Sequence, residues 1–214
     1  KWIHWQLKQN GLRNLKINKK KFIYLISPLT IKKSFYSDLI EIFKTNKVGF
    51  FQLRLKNESF KKKLIIGKKI KRICKNYKVK FIVNDDVFLT KEIKADGCHL
   101  GQKDMNVLDA RKIIGDKIIG VTCHNSIKLA KVAIQNKADY LAFGAFNLSK
   151  TKKVKYRASV STLKAARRIT NKPIVAIGGI NSNNYLKLLL NKANFLAISG
   201  YIWKNKKIKP IEAI

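Results

Sequence analysis

Residues 80–124 read KFIVNDDVFLTKEIKADGCHLGQKDMNVLDARKIIGDKIIGVTCH and contain three short apolar runs. The runs at 80–83 and 118–121 contain β-branched or aromatic residues, which favours strands, and the shorter run at 97–100 is interpreted as a strand between them. A segment with helical spacing of apolar residues, 106–114, separates the second run from the third. Apolar strands joined by helices are typical of a parallel sheet that helices cover. This stretch therefore predicts an α/β protein.

The same alternation extends along the whole chain. Strands are predicted at 22–26, 48–53, 80–83, 97–100, 118–121, 140–143, 174–177 and 195–198. Helical spacing is visible at 60–77, 106–114, 126–135, 161–169 and 183–190. Eight such units in about 200 residues fit a closed barrel better than an open doubly wound sheet. We therefore predict a single-domain (β/α)8 TIM barrel at 22–214, preceded at 1–21 by an N-terminal extension or a barrel-bottom helix.

The chain is strongly basic, with 47 Lys and Arg against 12 Asp and Glu and a net charge of +35. Hydrophobic residues make up 46% of it and recur from end to end, which excludes a disordered chain. The charge leaves a basic nucleic-acid-binding protein as an alternative. However, Lys outnumbers Arg 40 to 7 and is spread along the whole sequence, whereas base edges favour Arg. We expect no specific nucleic acid partner.

The longest uncharged stretches, 22–31 and 173–186, are shorter than the roughly 18 to 20 apolar residues of a membrane-spanning helix. We therefore expect no membrane partner. The first residues lack an apolar core of signal-peptide length, so a cytoplasmic location is the default expectation. The chain begins with Lys1 instead of Met, which suggests that the natural start is missing. A homo-oligomer is left open.

Polar side chains gather where the predicted strands end, which is where barrels of this kind carry their chemistry. Gln52, Arg54 and Lys56 alternate along the end of the second strand. They share one face, which is the inner face if Phe51 and Leu53 pack outward against helices. Two cations directed into the mouth of the barrel imply an anionic ligand.

Asp85 and Asp104 follow neighbouring strands in a chain that has few acidic residues. Carboxylates that share one site repel each other unless a cation lies between them. Mg²⁺ prefers oxygen ligands and commonly bridges carboxylates to substrate phosphates. We therefore predict a Mg²⁺ site at Asp85 and Asp104. Asp86 and Asp109 are expected at loop or helix-start positions.

The last two strands end in small residues, Gly178-Gly179 and Ser199-Gly200. Many barrels hold a phosphate at this place on backbone N–H groups. Glycines of a tight turn without any ligand are the alternative. Together with the cations of the second strand, these residues suggest two phosphorylated substrates or one bisphosphate.

The segment 144–160 is the longest that follows a strand, and it carries Ser149, Thr151 and Lys152. Hydroxyl groups interleaved with lysines can close over a phosphate as a lid. A solvated basic loop is the alternative. We expect His99 and His124, which flank strands, to support the site or the core, and a role as acid or base is the alternative.

The sequence resembles the thiamine phosphate synthase family, whose relatives include a thiazole tautomerase with the same barrel. The similarity covers roughly 22–203. The matching motifs, in order, are QLRLK at 52–56, FIVND at 81–85, ADGCHLGQKD at 95–104, GVTCH at 120–124, TK at 151–152, AIGGI at 176–180 and SG at 199–200.

The resemblance implies an enzyme that transfers a pyrimidine-methyl group. It joins 4-amino-2-methyl-5-(diphosphooxymethyl)pyrimidine to a thiazole phosphate and gives thiamine phosphate and diphosphate, with Mg²⁺ as cofactor. The family is thought to react dissociatively: the diphosphate leaves first, and the thiazole nitrogen then captures the pyrimidine-methyl cation. Such a step needs charge stabilisation on the leaving group more than it needs a strong base.

The resemblance also implies roles for individual residues. The pyrimidine diphosphate is held by Gln52, Arg54, Lys56 and Asn84, and its diphosphate is contacted by Thr122 and Lys152. Mg²⁺ is bound by Asp85 and Asp104. The carboxylate or phosphate of the thiazole is contacted by Ser149 and Thr151, and its phosphate is surrounded by Gly179, Ser199 and Gly200. The catalytic cations are Arg54, Lys56 and Lys152.

The sequence departs from the family pattern mainly in the predicted lid. The family usually has Gly-Pro at 144–145, Pro-Thr at 148–149, Gly near Val160 and Glu in place of Leu55. A tautomerase-like or lid-impaired homologue is therefore an alternative. Tautomerase relatives commonly lack the second acidic metal ligand and the Thr-Lys pair, whereas this chain has Asp104 and the pair at 151–152, which favours the synthase.

Overall fold

The computed structural model describes residues 21–148 and 155–214. In this part of the chain, eight parallel strands pair in sequence order and close into a barrel through pairing of the first strand with the last. The strands are β1 (Ile23–Ile26), β2 (Val48–Leu53), β3 (Lys80–Asn84), β4 (Gly97–Leu100), β5 (Ile118–His124), β6 (Tyr140–Gly144), β7 (Ile174–Ile177) and β8 (Phe195–Ile198).

One helix follows each strand within the described residues. The helices are α1 (Phe35–Lys44), α2 (Phe60–Asn76), α3 (Val87–Ile93), α4 (Val107–Ile114), α5 (Ile127–Gln135), α6 (Val160–Ile169), α7 (Tyr185–Leu190) and α8 (Gly200–Trp203). The predicted (β/α)8 barrel is thereby confirmed. The division at residue 21 stays a prediction, because residues 1–20 lie outside the described part.

Three helices, α1, α3 and α8, were not predicted from the sequence. Helix α1 buries apolar residues at helical spacing, namely Phe35, Leu39, Ile42 and Phe43. Helix α3 has only seven residues, too few for a clear period. Its start is nevertheless encoded, because the Asp86 carboxylate accepts a hydrogen bond of 2.9 Å from the backbone N–H of Leu89.

Two apolar layers lie on opposite faces of the barrel sheet. The larger layer packs between the strands and the helices. The smaller one fills the barrel interior and contains Tyr24, Ile26, Ile82, Tyr140, Ala142, Val175 and Ala197. Because side chains alternate along each strand, Phe51 and Leu53 point to the helices while Gln52, between them, points inward.

A repeated contact ties neighbouring strands together at the amino-terminal end of the barrel. The residue before each of β4, β6 and β8 has a side-chain oxygen that accepts a hydrogen bond from a backbone N–H of the preceding strand. The pairs are Asp96 with Phe81 at 2.8 Å, Asp139 with Ile119 at 2.7 Å, and Asn194 with Ile174 at 2.8 Å. These bonds stabilise the end of the barrel opposite the predicted site.

No helix among the described residues is long and apolar enough to cross a lipid bilayer.

We expect Gly120→Ala to destabilise the barrel interior. A Cβ atom at this position would lie 1.8 Å from Cζ of Tyr140. The displaced ring would lose the hydrogen bonds that its hydroxyl makes to Tyr24 and His99. The expected loss is about 1–3 kcal/mol in the free energy of unfolding, measured by urea denaturation.

The matched control is Gly67→Ala in helix α2. Its added methyl group meets first the flexible end of the Ile93 side chain, and alanine favours a helix over glycine. We therefore expect a smaller loss than for Gly120→Ala. A Gly120→Ala variant as stable as the unmodified protein would contradict the described packing around Tyr140.

Candidate active site

The carboxyl end of β2 presents the three predicted polar residues to the mouth of the barrel. Gln52 is 3% exposed, and its Nε2 donates a hydrogen bond of 3.2 Å to the Tyr24 hydroxyl. Arg54 is partly buried, and its backbone N–H donates to Ser27 Oγ at 2.9 Å. Lys56 is exposed, and its Nζ lies 3.1 Å from Oδ2 of Asp85. The strand end thus runs from a buried amide to an exposed cation.

Asp85 and Asp104, which follow β3 and β4, form a close pair of carboxyl groups. Partial burial raises the pKa of Asp104, and a side-chain hydrogen bond with Asp85 raises it further. The backbone holds both residues in place. Asp85 adopts a left-handed conformation with φ of 64° and donates its N–H to the His99 carbonyl at 2.8 Å, while Oδ2 of Asp104 accepts from the Gly101 N–H at 2.6 Å.

This acid pair has the properties of a divalent-cation site. After burial, the neighbouring Asp85 is the next cause of the raised pKa of Asp104, and a cation between the two carboxyl groups would relieve their repulsion. Carboxylate oxygens are the ligands that Mg²⁺ prefers, and Mg²⁺ usually completes its coordination with phosphate oxygens and water. The two residues present therefore fit a magnesium ion.

A cleft of about 480 Å³ reaches Asp85, one member of the acid pair. Its polar lining includes Lys56, Asn84 and Asp85, three of the predicted site residues, together with Lys63 from the first turn of α2. Its apolar lining includes Leu55 and four residues of the layer between strands and helices, namely Leu53, Val83, Val87 and Leu89. The cleft therefore opens mainly between the sheet and the helices, and its polar edge adjoins Lys56 and Asp85.

Thr122 lies near the end of β5 and contacts the side chain of His99 on β4. His99 Nε2 lies 2.8 Å from Thr122 Oγ1, and His99 Nδ1 lies 2.8 Å from the Tyr140 hydroxyl. Burial lowers the pKa of His99 to about 4, so its ring is neutral at neutral pH. The side-chain amide of Gln102 donates to the backbone carbonyl of Thr122. His99 thus supports a predicted substrate-binding residue.

Tyr24 and Tyr140 were not identified from the sequence. Both are buried in the barrel interior, and their hydroxyl oxygens lie 2.7 Å apart. The available signal was weak, because a tyrosine within an apolar strand is read as an ordinary strand residue. Only closure of the barrel brings β1 and β6 to opposite sides of one interior, where the two rings meet.

The end of β7 packs closely against the start of the segment that follows β6. Gly178 and Gly179 have φ values of 105° and 60°. A Cβ on Gly179 would lie 2.2 Å from the carbonyl oxygen of Leu148, and one on Gly178 would lie 2.3 Å from Cβ of Ala145. These contacts and backbone angles account for both glycines without a ligand, and they leave the phosphate role of Gly179 a prediction.

The ends of the neighbouring strands β8 and β1 are joined by a side-chain hydrogen bond. The Ser199 hydroxyl donates to the Ser27 carbonyl at 3.2 Å, and Gly200 begins the short helix α8. Ser27 also accepts from Arg54, so it connects the predicted phosphate end at β8 with the predicted diphosphate end at β2. Ser27 was not identified from the sequence.

The flanks of the predicted lid are held together at its base. The Ala145 N–H donates to the Tyr156 carbonyl at 2.9 Å, and the Ala158 N–H donates to the Ala145 carbonyl at 3.0 Å. The Tyr156 ring stacks on His124, at the end of β5, with centroids 4.2 Å apart. The predicted residues Ser149, Thr151 and Lys152 lie outside the described residues, and their roles stay predictions.

Two comparisons of sequence agree with this geometry. The family profile described as thiamine monophosphate synthase matches residues 23–202. A thiamine-phosphate synthase of Pelagibacter ubique is 65% identical over 209 residues, which cover 97% of this chain and 98% of the relative. A thiamine-phosphate synthase of Nitrosococcus oceani is 40% identical over 77% of this chain and 76% of its own length.

A solved structure described as thiamine phosphate pyrophosphorylase from Pyrococcus furiosus superimposes with a TM-score of 0.79. It shares 26% sequence identity, and the match covers 92% of each chain. The family profile spans β1 to the end of the barrel, and the first relative aligns along almost the whole chain. The chain belongs to the thiamine monophosphate synthase family.

Proposed function

We propose that this protein condenses 4-amino-2-methyl-5-(diphosphooxymethyl)pyrimidine with a thiazole phosphate to form thiamine phosphate and diphosphate. The names of the relatives support this activity. The observation that carries it is the convergence of Lys56, Asp85 and Asp104 from neighbouring strand ends, where Lys56 pairs with Asp85 and Asp85 lies against Asp104. A cation and two carboxylates at one mouth suit a diphosphate bound together with a metal ion.

The leaving diphosphate is stabilised by the cations at the end of β2. Arg54 and Lys56 compensate the negative charge that grows on the diphosphate as its bond to the pyrimidine-methyl carbon breaks. Gln52 lies deeper in the barrel, and Asn84 lines the cleft. We assign both to binding the pyrimidine substrate, with Thr122 contacting the diphosphate from β5.

Asp85 and Asp104 hold Mg²⁺ in this proposal. When bound, the ion would supply positive charge to the diphosphate and so favour its departure. Lys56 contributes in the same direction from its position 3.1 Å from the Asp85 carboxylate. The proposed site therefore places Lys56 and the metal ion next to each other, and both would act on the diphosphate.

The thiazole phosphate binds on the other side of the mouth in this proposal. The phosphate of the thiazole substrate is surrounded by Gly179, Ser199 and Gly200. Ser149 and Thr151 contact either the carboxylate of this substrate or the same phosphate. Lys152 approaches the diphosphate from the same segment. The tie between β1 and β8 through Ser27 and Ser199 supports a defined shape for this side.

The proposed partners are these two small phosphorylated substrates. A cytoplasmic location and the lack of a specific nucleic acid partner stay predictions from the sequence. A homo-oligomer is equally left open.

An assay of product formation tests the proposal. Purified protein is incubated with the pyrimidine diphosphate and the thiazole phosphate, with Mg²⁺ or with EDTA, and thiamine phosphate is quantified by chromatography. We expect product with Mg²⁺, little product with EDTA, and recovery when Mg²⁺ is added in excess. Binding of thiazole phosphate without any coupling would refute the synthase and favour a tautomerase-like homologue.

A further inference from the structure

Five polar side chains form a continuous row of hydrogen bonds through the barrel interior. This interior row consists of Gln52, Tyr24, Tyr140, His99 and Thr122. The successive distances are 3.2 Å from Gln52 Nε2 to the Tyr24 hydroxyl, 2.7 Å between the tyrosine hydroxyls, 2.8 Å from the Tyr140 hydroxyl to His99 Nδ1, and 2.8 Å from His99 Nε2 to Thr122 Oγ1. Its two ends are predicted substrate-binding residues.

The direction of each bond in the interior row follows from counting protons. The amide nitrogen of Gln52 can only donate, so the Tyr24 oxygen accepts from it. Among the residues that the structure describes, the partners of the Tyr24 hydroxyl are Gln52 and Tyr140. The Tyr24 proton must therefore be donated to the Tyr140 oxygen, because a buried hydroxyl proton without an acceptor is costly.

The same count fixes the tautomer of His99. Since the Tyr140 oxygen accepts from Tyr24, its own proton is free to be donated to His99 Nδ1. Nδ1 then carries no hydrogen, so the neutral ring carries its proton on Nε2. The opposite direction would leave the Tyr24 proton without an acceptor.

The consequence reaches the mouth of the barrel at Thr122. His99 Nε2–H donates to Thr122 Oγ1, so the threonine hydroxyl accepts inside the row and directs its own proton elsewhere. We infer that Tyr24, Tyr140 and His99 are positioning residues that hold the Thr122 hydroxyl as a hydrogen-bond donor to a phosphate oxygen of the substrate. That the acceptor is a phosphate oxygen of the substrate rests on the proposed function.

The surroundings of the interior row agree with this polarity. Burial raises the pKa of Tyr24 and of Tyr140, so both hydroxyls keep the protons that the count assigns to them. A phosphate oxygen at neutral pH can only accept. A Thr122 hydroxyl that accepts from His99 has its proton free for such an oxygen. A Thr122 hydroxyl that donated to His99 would instead direct a lone pair at the phosphate, which is unfavourable.

The tautomer of His99 is measured directly by NMR on protein labelled with ¹⁵N-histidine, without substrate or metal. The chain has three histidines, so His99→Gln assigns the His99 signals by their loss. Long-range ¹H–¹⁵N correlations at neutral pH are expected to show the proton of His99 on Nε2. A proton on Nδ1, or on both nitrogens, would overturn the inference. This measurement does not depend on any enzymatic activity.

The effect on Thr122 is measured by a double-mutant cycle. Tyr140→Phe removes the donor to His99 Nδ1, so either ring nitrogen of His99 can then carry the proton. Because the Thr122 hydroxyl is then no longer held as a donor, we expect the KM for the pyrimidine diphosphate to rise about tenfold. In a Thr122→Val background the same change should alter KM by less than about twofold, because the hydroxyl it controls is gone.

Tyr77→Phe is the matched control, since Tyr77 lies on the far side of the sheet and packs against Phe43. It should change neither KM nor the His99 tautomer. Equal effects of Tyr140→Phe with and without the Thr122 hydroxyl would overturn the positioning role. If neither the unmodified protein nor any variant forms thiamine phosphate, the proposed function is wrong. The NMR measurement still determines the tautomer of His99 in that case.

Discussion

Asp85→Asn and Asp104→Asn should each lower kcat by on the order of 10²–10³-fold, since either change removes a charged ligand of the proposed metal ion. The fold should survive both changes. Asn tolerates the left-handed backbone of Asp85, and the amide oxygen that Asp104→Asn introduces can still accept from the Gly101 N–H. Steady-state kinetics over a range of Mg²⁺ concentrations measure the effect.

The variants should also show a defined change in stability. Burial and the neighbouring Asp85 raise the pKa of Asp104 even though Lys56 lies beside Asp85, so the two carboxylates still oppose each other without a metal ion. Asp104→Asn relieves this repulsion, so its Tm without Mg²⁺ should be no lower than that of the unmodified protein. The rise in Tm that Mg²⁺ and diphosphate together produce should be lost.

Asp86→Asn is the matched control for the acid pair. Asp86 is the neighbour of Asp85, but its carboxylate caps helix α3, a role that Asn performs equally well. We expect kcat within about twofold of the unmodified protein. Full activity of Asp85→Asn and Asp104→Asn, or an equal loss in Asp86→Asn, would contradict the metal assignment.

Lys152→Gln should lower kcat by on the order of 10²-fold, because the family resemblance assigns this residue to the diphosphate and a cation there stabilises the leaving group. Lys153→Gln is the matched control, since it removes the same charge one position further along. Its kcat should stay within about twofold. The two variants are compared in the same assay under saturating substrates.

The comparison separates a specific contact from the general basic charge of the chain. With a net charge of +35, loss of one lysine changes the overall field little. Equal kcat values for the two variants would show that Lys152 acts only as one of many surface cations. The lid assignment would then be wrong.

The barrel could be predicted because its strands are buried on both faces and therefore read as short apolar runs. The predicted ends of the strands lie within a few residues of the observed ends. Strand β5, for example, extends to His124, beyond its predicted end at residue 121. Helix α1 carries apolar residues at helical spacing, but its Phe and Ile residues favour strands just as strongly. Helix α3 is too short for periodicity and could have been found only by its cap at Asp86.

The candidate site could be predicted as a set of strand ends, but its contacts could not. Gln52, Asp85 and Asp104 stand out because polar residues follow apolar runs at positions that a barrel brings together. The ion pair between Lys56 and Asp85 depends on the register of β2 and β3.

The interior row could not be predicted from the sequence for a different reason. Tyr24 and Tyr140 lie on β1 and β6, which do not pair with each other, and meet only across the closed barrel. Nothing in the local sequence of either strand distinguishes these tyrosines from residues that pack against helices. The role of His99 follows from the same closure, because its ring contacts Tyr140 across the interior.

A crystal structure of the protein with Mg²⁺, diphosphate and thiamine phosphate tests the central claim most directly. We predict that the metal ion lies between the carboxylates of Asp85 and Asp104 and that the diphosphate contacts Arg54, Lys56 and the Thr122 hydroxyl. Metal and diphosphate bound away from the carboxyl ends of the strands, with the acid pair in contact with neither, would contradict the account.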